Sequence, residues 1–191
     1  MKANKFSTSI ITVAMTMGLS VYTVNAETVP GPPDSKAERP NFEQMKMSHS
    51  KSRVVPEDLK VAENPTYPVK SKALILTDHM DGMYGAVAKI EGAYTTTVYS
   101  VTYYPTTGGE PVEDHKWVIH EEIENAGEEP YKPGDVVVLD ADHHEGMDGA
   151  TAIIESAEET TVYMVSYNDT ETKKRVKNHK WVIESELAPY K

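Results

Sequence analysis

The polar and apolar positions of this chain fall into short alternating runs, and the same runs occur twice. Ala73-Leu74-Ile75-Leu76 and Val136-Val137-Val138-Leu139 are brief apolar stretches entered from turns. Ala86 to Ile90 and Ala150 to Ile154 alternate with period two. Thr97 to Tyr103 is the clearest strand, with Tyr99, Val101 and Tyr103 on one face and Val98, Ser100 and Thr102 on the other. Thr161 to Tyr167 repeats it with Tyr163, Val165 and Tyr167. A turn at Pro105–Gly109 leads to a last strand, His115–Ile119, repeated as His179–Ile183. The acidic segments that follow, 120–124 and 184–187, suit one helical turn each.

Sliding the chain on itself by 64 positions aligns Tyr67–Glu124 with Tyr131–Ala188 without a gap. This predicts an all-β protein of two tandem modules, 67–124 and 131–188, joined by a link at 125–130. Four or five short strands per module, with a Gly-rich first loop, predict two small SH3-like barrels, because closing the sheet protects its edges. Trp117 and Trp181 are expected in the core.

The N-terminal third differs. Lys2 and Lys5, an apolar run from about Ile10 to Val24 and the small-residue site Val24-Asn25-Ala26 read as a signal peptide over 1–26. Residues 27–66 read as a flexible tail broken by Pro30, Pro32, Pro33 and Pro40, with one short helical turn near Pro56. Cleavage after Ala26 removes two of the 19 basic residues and no acid, leaving 17 Lys and Arg against 30 Asp and Glu. Such a chain is a poor partner for nucleic acid or anionic membranes and attracts cations. No membrane span is expected once the signal is removed. The absence of cysteine excludes disulfides, thiolate metal sites and a lipobox, so a secreted or cell-envelope location is expected.

No nucleophile elbow, phosphate loop or His-Glu-x-x-His motif is present, so no enzyme is predicted. The notable chemistry lies in the first loop of each module. His79, Met80 and Met83 bring one imidazole and two thioethers together, and His143, His144 and Met147 bring two imidazoles and one thioether. Thioether is a soft ligand that suits Cu(I), and imidazole suits copper or zinc. Gly82 and Gly146 can fold these ligands back on themselves. Met47 and His49 in the tail are weaker candidates. Met83 and Met147 equally suit core packing beneath the loops. His115 and His179 suit cross-strand positions, or accessory ligand positions if their strand ends beside the loop.

Asp-His-Met-x-Gly-Met-x-Gly-Ala, Thr-Thr-Val-Tyr-x-Val-x-Tyr and His-Lys-Trp-Val, taken together over residues 45–188, resemble the YdhK/CopL-like family of Gram-positive surface proteins. The resemblance implies an extracytoplasmic copper-binding protein of copper resistance. It would sequester or buffer copper, with Cu(I) favoured, and an exporting pump is the expected transfer partner. By position it implies His79, Met80, Met83, His143, His144 and Met147 as ligands, with Met47 and His49 secondary. Members are typically lipoproteins, and this chain lacks the cysteine for that. Because His144 stands where the first module has Met80, the second site is expected to be harder. The competing expectation is a module that binds wall polymer or a protein partner without metal, by analogy of fold.

Overall fold

A computed structural model describes residues 53–191. The expected signal peptide, and the tail up to residue 52 with Met47 and His49, lie outside the described residues. The described chain is all-β, in the order β1 (Lys60–Val61), β2 (Lys72–Ile75), β3 (Val87–Tyr104), β4 (Val112–Ile119), β5 (Val136–Val138), β6 (Thr151–Asn168), β7 (Arg175–Ile183) and β8 (Leu187–Pro189). Single 3-10 turns at His120–Glu122 and Glu184–Glu186 occupy the expected helical positions. No described helix is long and apolar enough to cross a membrane.

The strand pairs expected within each module are continuous. The runs 86–90 and 97–103 are parts of one 18-residue strand, β3, and their counterparts form β6, of equal length. At about 3.4 Å per residue, each spans roughly 60 Å, far beyond an ordinary strand. The small and β-branched residues between the two runs, Ala93, Thr95 and Thr96, permit extension without a turn. A register shift between Ile90 and Gly92 bends the strand in its course.

β3 and β6 pair antiparallel along their whole length, from Lys89 opposite Ser166 to Tyr104 opposite Thr151. This register changes the architecture. The modules do not close into two separate barrels; all eight strands belong to one sheet that remains open. One end combines β2 and the first half of β3 with the second half of β6, β7 and β8. The other combines β5 and the first half of β6 with the second half of β3 and β4. Each end therefore contains half of each repeat.

The cores follow the exchange. Ile75, Met83, Ala88 and Ile90 of the first repeat pack with Tyr163, Val165, Tyr167 and Leu187 of the second. Tyr99, Val101, Tyr103 and Ile123 of the first pack with Leu139, Met147, Ala152 and Ile154 of the second. The predicted Tyr99–Val101–Tyr103 face is thus buried, but against the other repeat. A third cluster joins the two ends through Val98, Trp117, Ile119, Val162, Met164 and Trp181. Leu59 is buried in it and β1 pairs with β3 at Thr95 and Tyr94, so the segment from residue 53 lies along the sheet rather than belonging to a flexible tail. Near Pro56 the chain makes a single turn, closed by the Leu59 amide on the Pro56 carbonyl.

Candidate metal centre

Each His/Met/Gly loop is a chain of tight turns. In the first, the amide of Met83 donates to the Met80 carbonyl and that of Ala86 to the Met83 carbonyl; in the second, Met147 and Ala150 do the same. Gly82 and Gly146 sit at φ of 71° and 78°, which side chains other than hydrogen resist. Each loop is anchored to its own repeat, Gly85 on Ile75 and Gly149 on Leu139, and also to the other repeat. The Gly82 carbonyl accepts from the amide and hydroxyl of Thr170, in the second repeat's turn. The Gly146 carbonyl accepts from the amide and hydroxyl of Thr106, in the first repeat's turn.

At the first centre, His79 Nε2 lies 2.6 Å from Glu186 Oε1. The other carboxylate oxygen, Oε2, accepts from Trp117 Nε1 at 3.0 Å and from the Ile183 amide at 3.1 Å. Burial works against ionisation of Glu186. The hydrogen bond and charge of His79, with the Ile183 and Trp117 donors, outweigh it and hold this carboxyl below the usual range. An ionised Glu186 can only accept, so Nε2 carries a proton, and Nδ1 is the nitrogen that offers a lone pair whenever the ring is neutral. That Nδ1 is buried without a hydrogen-bond partner. The nearest imidazole is that of His179, with ring centres 6.4 Å apart. Met80 is partly buried against the adjoining core, and its Sδ accepts from the Tyr167 hydroxyl at 3.8 Å. Burial, with the charge of Asp169, pushes Tyr167 up to about 12, so it stays a neutral donor.

The second centre repeats this arrangement with the repeats exchanged. His143 Nε2 lies 2.8 Å from Glu122 Oε1, while Glu122 Oε2 accepts from Trp181 Nε1 at 2.9 Å and from the Ile119 amide at 3.2 Å. Its Nδ1 is likewise buried without a partner. The His115 ring lies 6.1 Å from that of His143 and 5.0 Å from that of His144. A buried nitrogen left without a partner costs about 1–3 kcal/mol and calls for an explanation. A carboxylate that fixes one ring nitrogen and frees the other is the usual support of a metal-ligating histidine. As they stand, no three His, Cys, Asp or Glu side chains among the described residues surround a common point as a metal cage. What the structure presents is a pair of facing imidazoles at each end, with a half-buried third group, Met80 or His144, beside it.

The sequence-predicted residues divide accordingly. His79, Met80, His143 and His144 are at these two centres. Met83 and Met147 are fully buried in the two apolar cores. His115 and His179 join the loops from mid-strand, because β4 and β7 run beside the loop of the opposite repeat. Glu122 and Glu186 were not singled out from the sequence. Their signal was nevertheless present: amid acidic segments that otherwise differ, a glutamate recurs at the same repeat position.

Residues 70–120 and 133–184 each match the DUF1541 family, described as a protein of unknown function. The chain is 48% identical over 188 residues to the uncharacterized protein YdhK of Bacillus subtilis, covering 98% of this chain and 91% of that one. It resembles the crystal structure of YdhK, a DUF1541 family protein, with a TM-score of 0.74 and 55% identity over 76% of this chain and 99% of that one. The solution structure of the YdhK C-terminal domain matches with a TM-score of 0.61 and 57% identity, covering 63% of this chain and 92% of that one.

Proposed function

The chain belongs to the DUF1541 family, and from the donors at its two ends we propose that it is an extracytoplasmic copper-binding protein without catalytic activity. One observation carries the proposal. At each end an imidazole has its Nε2 tied to a glutamate and its buried Nδ1 left open, with a second imidazole beside it. Two imidazoles bonded at about 2 Å on opposite sides of one ion have ring centres roughly 6 Å apart. The separations of 6.4 and 6.1 Å suit a nearly linear pair, a geometry that Cu(I) accepts readily. Met80 adds a soft donor at the first pair. Met83 and Met147 are left to the core. The acids of the loops, Asp78 and Asp81 in one and Asp142, Glu145 and Asp148 in the other, draw cations toward both.

The test is anaerobic titration of the mature chain with Cu(I) against a competing chelator. Wild type is expected to hold copper tightly, and the His79→Ala/His143→Ala double variant to lose that binding while keeping its strand signature in circular dichroism. Equal affinity in the two chains sinks the proposal.

A further inference from the structure

The two centres are alike in their imidazole pairs and differ in the third group. Where the first has Met80, the second has His144. The His144 ring stands edge-on to that of His115 at 5.0 Å, and His115 faces His143 at 6.1 Å, so three imidazoles from two repeats gather at one end. His143 is buried and oriented by Glu122, whereas His144 is half-buried and its ring can turn about its side-chain bonds. The loops also differ in charge: Asp148 stands where the first has Tyr84. Three nitrogens suit a borderline divalent ion, and the added loop charge attracts one, whereas a thioether disfavours it.

We infer that the His115–His143–His144 centre binds, besides Cu(I), a divalent ion of the Cu(II) class, while the His79–Met80–His179 centre is restricted to Cu(I). His144 is the residue that sets this difference. The inference rests on the copper-binding proposal for the same centres and adds the valence each one takes. A protein with both centres would hold copper in either oxidation state at opposite ends of one sheet.

The mature chain is titrated with Cu(II) in air and with Cu(I) anaerobically, and the Cu(II) form is examined by electron paramagnetic resonance. Wild type is expected to bind one Cu(II) with nitrogen hyperfine structure. His144→Met should weaken Cu(II) by roughly tenfold or more, as loss of a ligand is at least as severe as loss of a supporting group, and leave Cu(I) binding intact. Intact Cu(I) binding also shows that the variant is folded. The reciprocal Met80→His should gain a second Cu(II). Undiminished Cu(II) binding by His144→Met, with an unchanged spectrum, overturns the inference. So does a wild type that binds Cu(I) but no Cu(II). A wild type that binds neither overturns the copper-binding proposal as well.

Discussion

Glu122 and Glu186 decide what the histidines beside them can do. Each carboxylate uses one oxygen for an imidazole and the other for an indole and a backbone amide. Glu122→Gln can keep the indole and amide bonds through its carbonyl oxygen, but it presents an N–H to His143. The proton of that ring then moves to Nδ1, the nitrogen proposed to bind metal. Copper affinity at the second centre should fall by about 10–100-fold, with the first unchanged, in chelator competition. Met83 and Met147 provide the contrast. Each is fully buried among aliphatic and aromatic side chains. Truncating either to Ala should cost about 2–5 kcal/mol in urea unfolding through the cavity it leaves, while copper stoichiometry in the folded protein stays the same. Composition and softness picked out the loop His and Met residues from sequence. They were insufficient to separate Met80, at the surface of the core, from Met83 within it, because three residues of loop decide that and the loop has no regular period.

The elements were legible in kind and not in connection. Alternation located the strands, and the turn residues located their ends. The continuity of β3 from Val87 to Tyr104 was hidden, because Glu91–Thr96 breaks the alternation where the strand passes from one core to the other. The consequence falls on the loops. Gly82 is pressed against Asp169, so an added Cβ would collide with that carboxylate as well as adopt an unfavourable φ. Gly82→Ala should therefore cost at least about 1–2 kcal/mol from the backbone alone. It should also weaken copper at the first centre and spare the second. Gly127, whose added Cβ would meet nothing within 4 Å, supplies the neutral control when changed to Ala. Thermal melts of the two variants compare them directly.

At the scale of the molecule, a repeat in sequence is not a unit in space. Self-alignment finds two copies, yet both ends of the sheet, all three buried clusters and both candidate centres take residues from each copy. An ionic contact ties the segment from residue 53 to this body: Arg53 reaches Glu91, which Lys89 of the same strand also reaches. Burial opposes ionisation of Glu91, but hydrogen bonds from Lys89 and Ser166 and the charges of Lys89 and Arg53 lower its pKa below the ordinary 4.5. Its contribution to stability is thus full above 4.5 and is lost as pH falls through the lower folded value. Urea midpoints between pH 7 and pH 3 should drop less in Glu91→Gln than in wild type. The exchange itself is tested most directly by counting tightly held Cu(I) in two double variants. Wild type should hold one copper at each end. His79→Ala/His179→Ala, with one change in each repeat, should remove a single copper, because both residues serve the first centre. His79→Ala/His115→Ala, with both changes in the first repeat, should remove both. The opposite pattern, one copper lost from the same-repeat pair and two from the cross-repeat pair, would contradict centres assembled across the repeats.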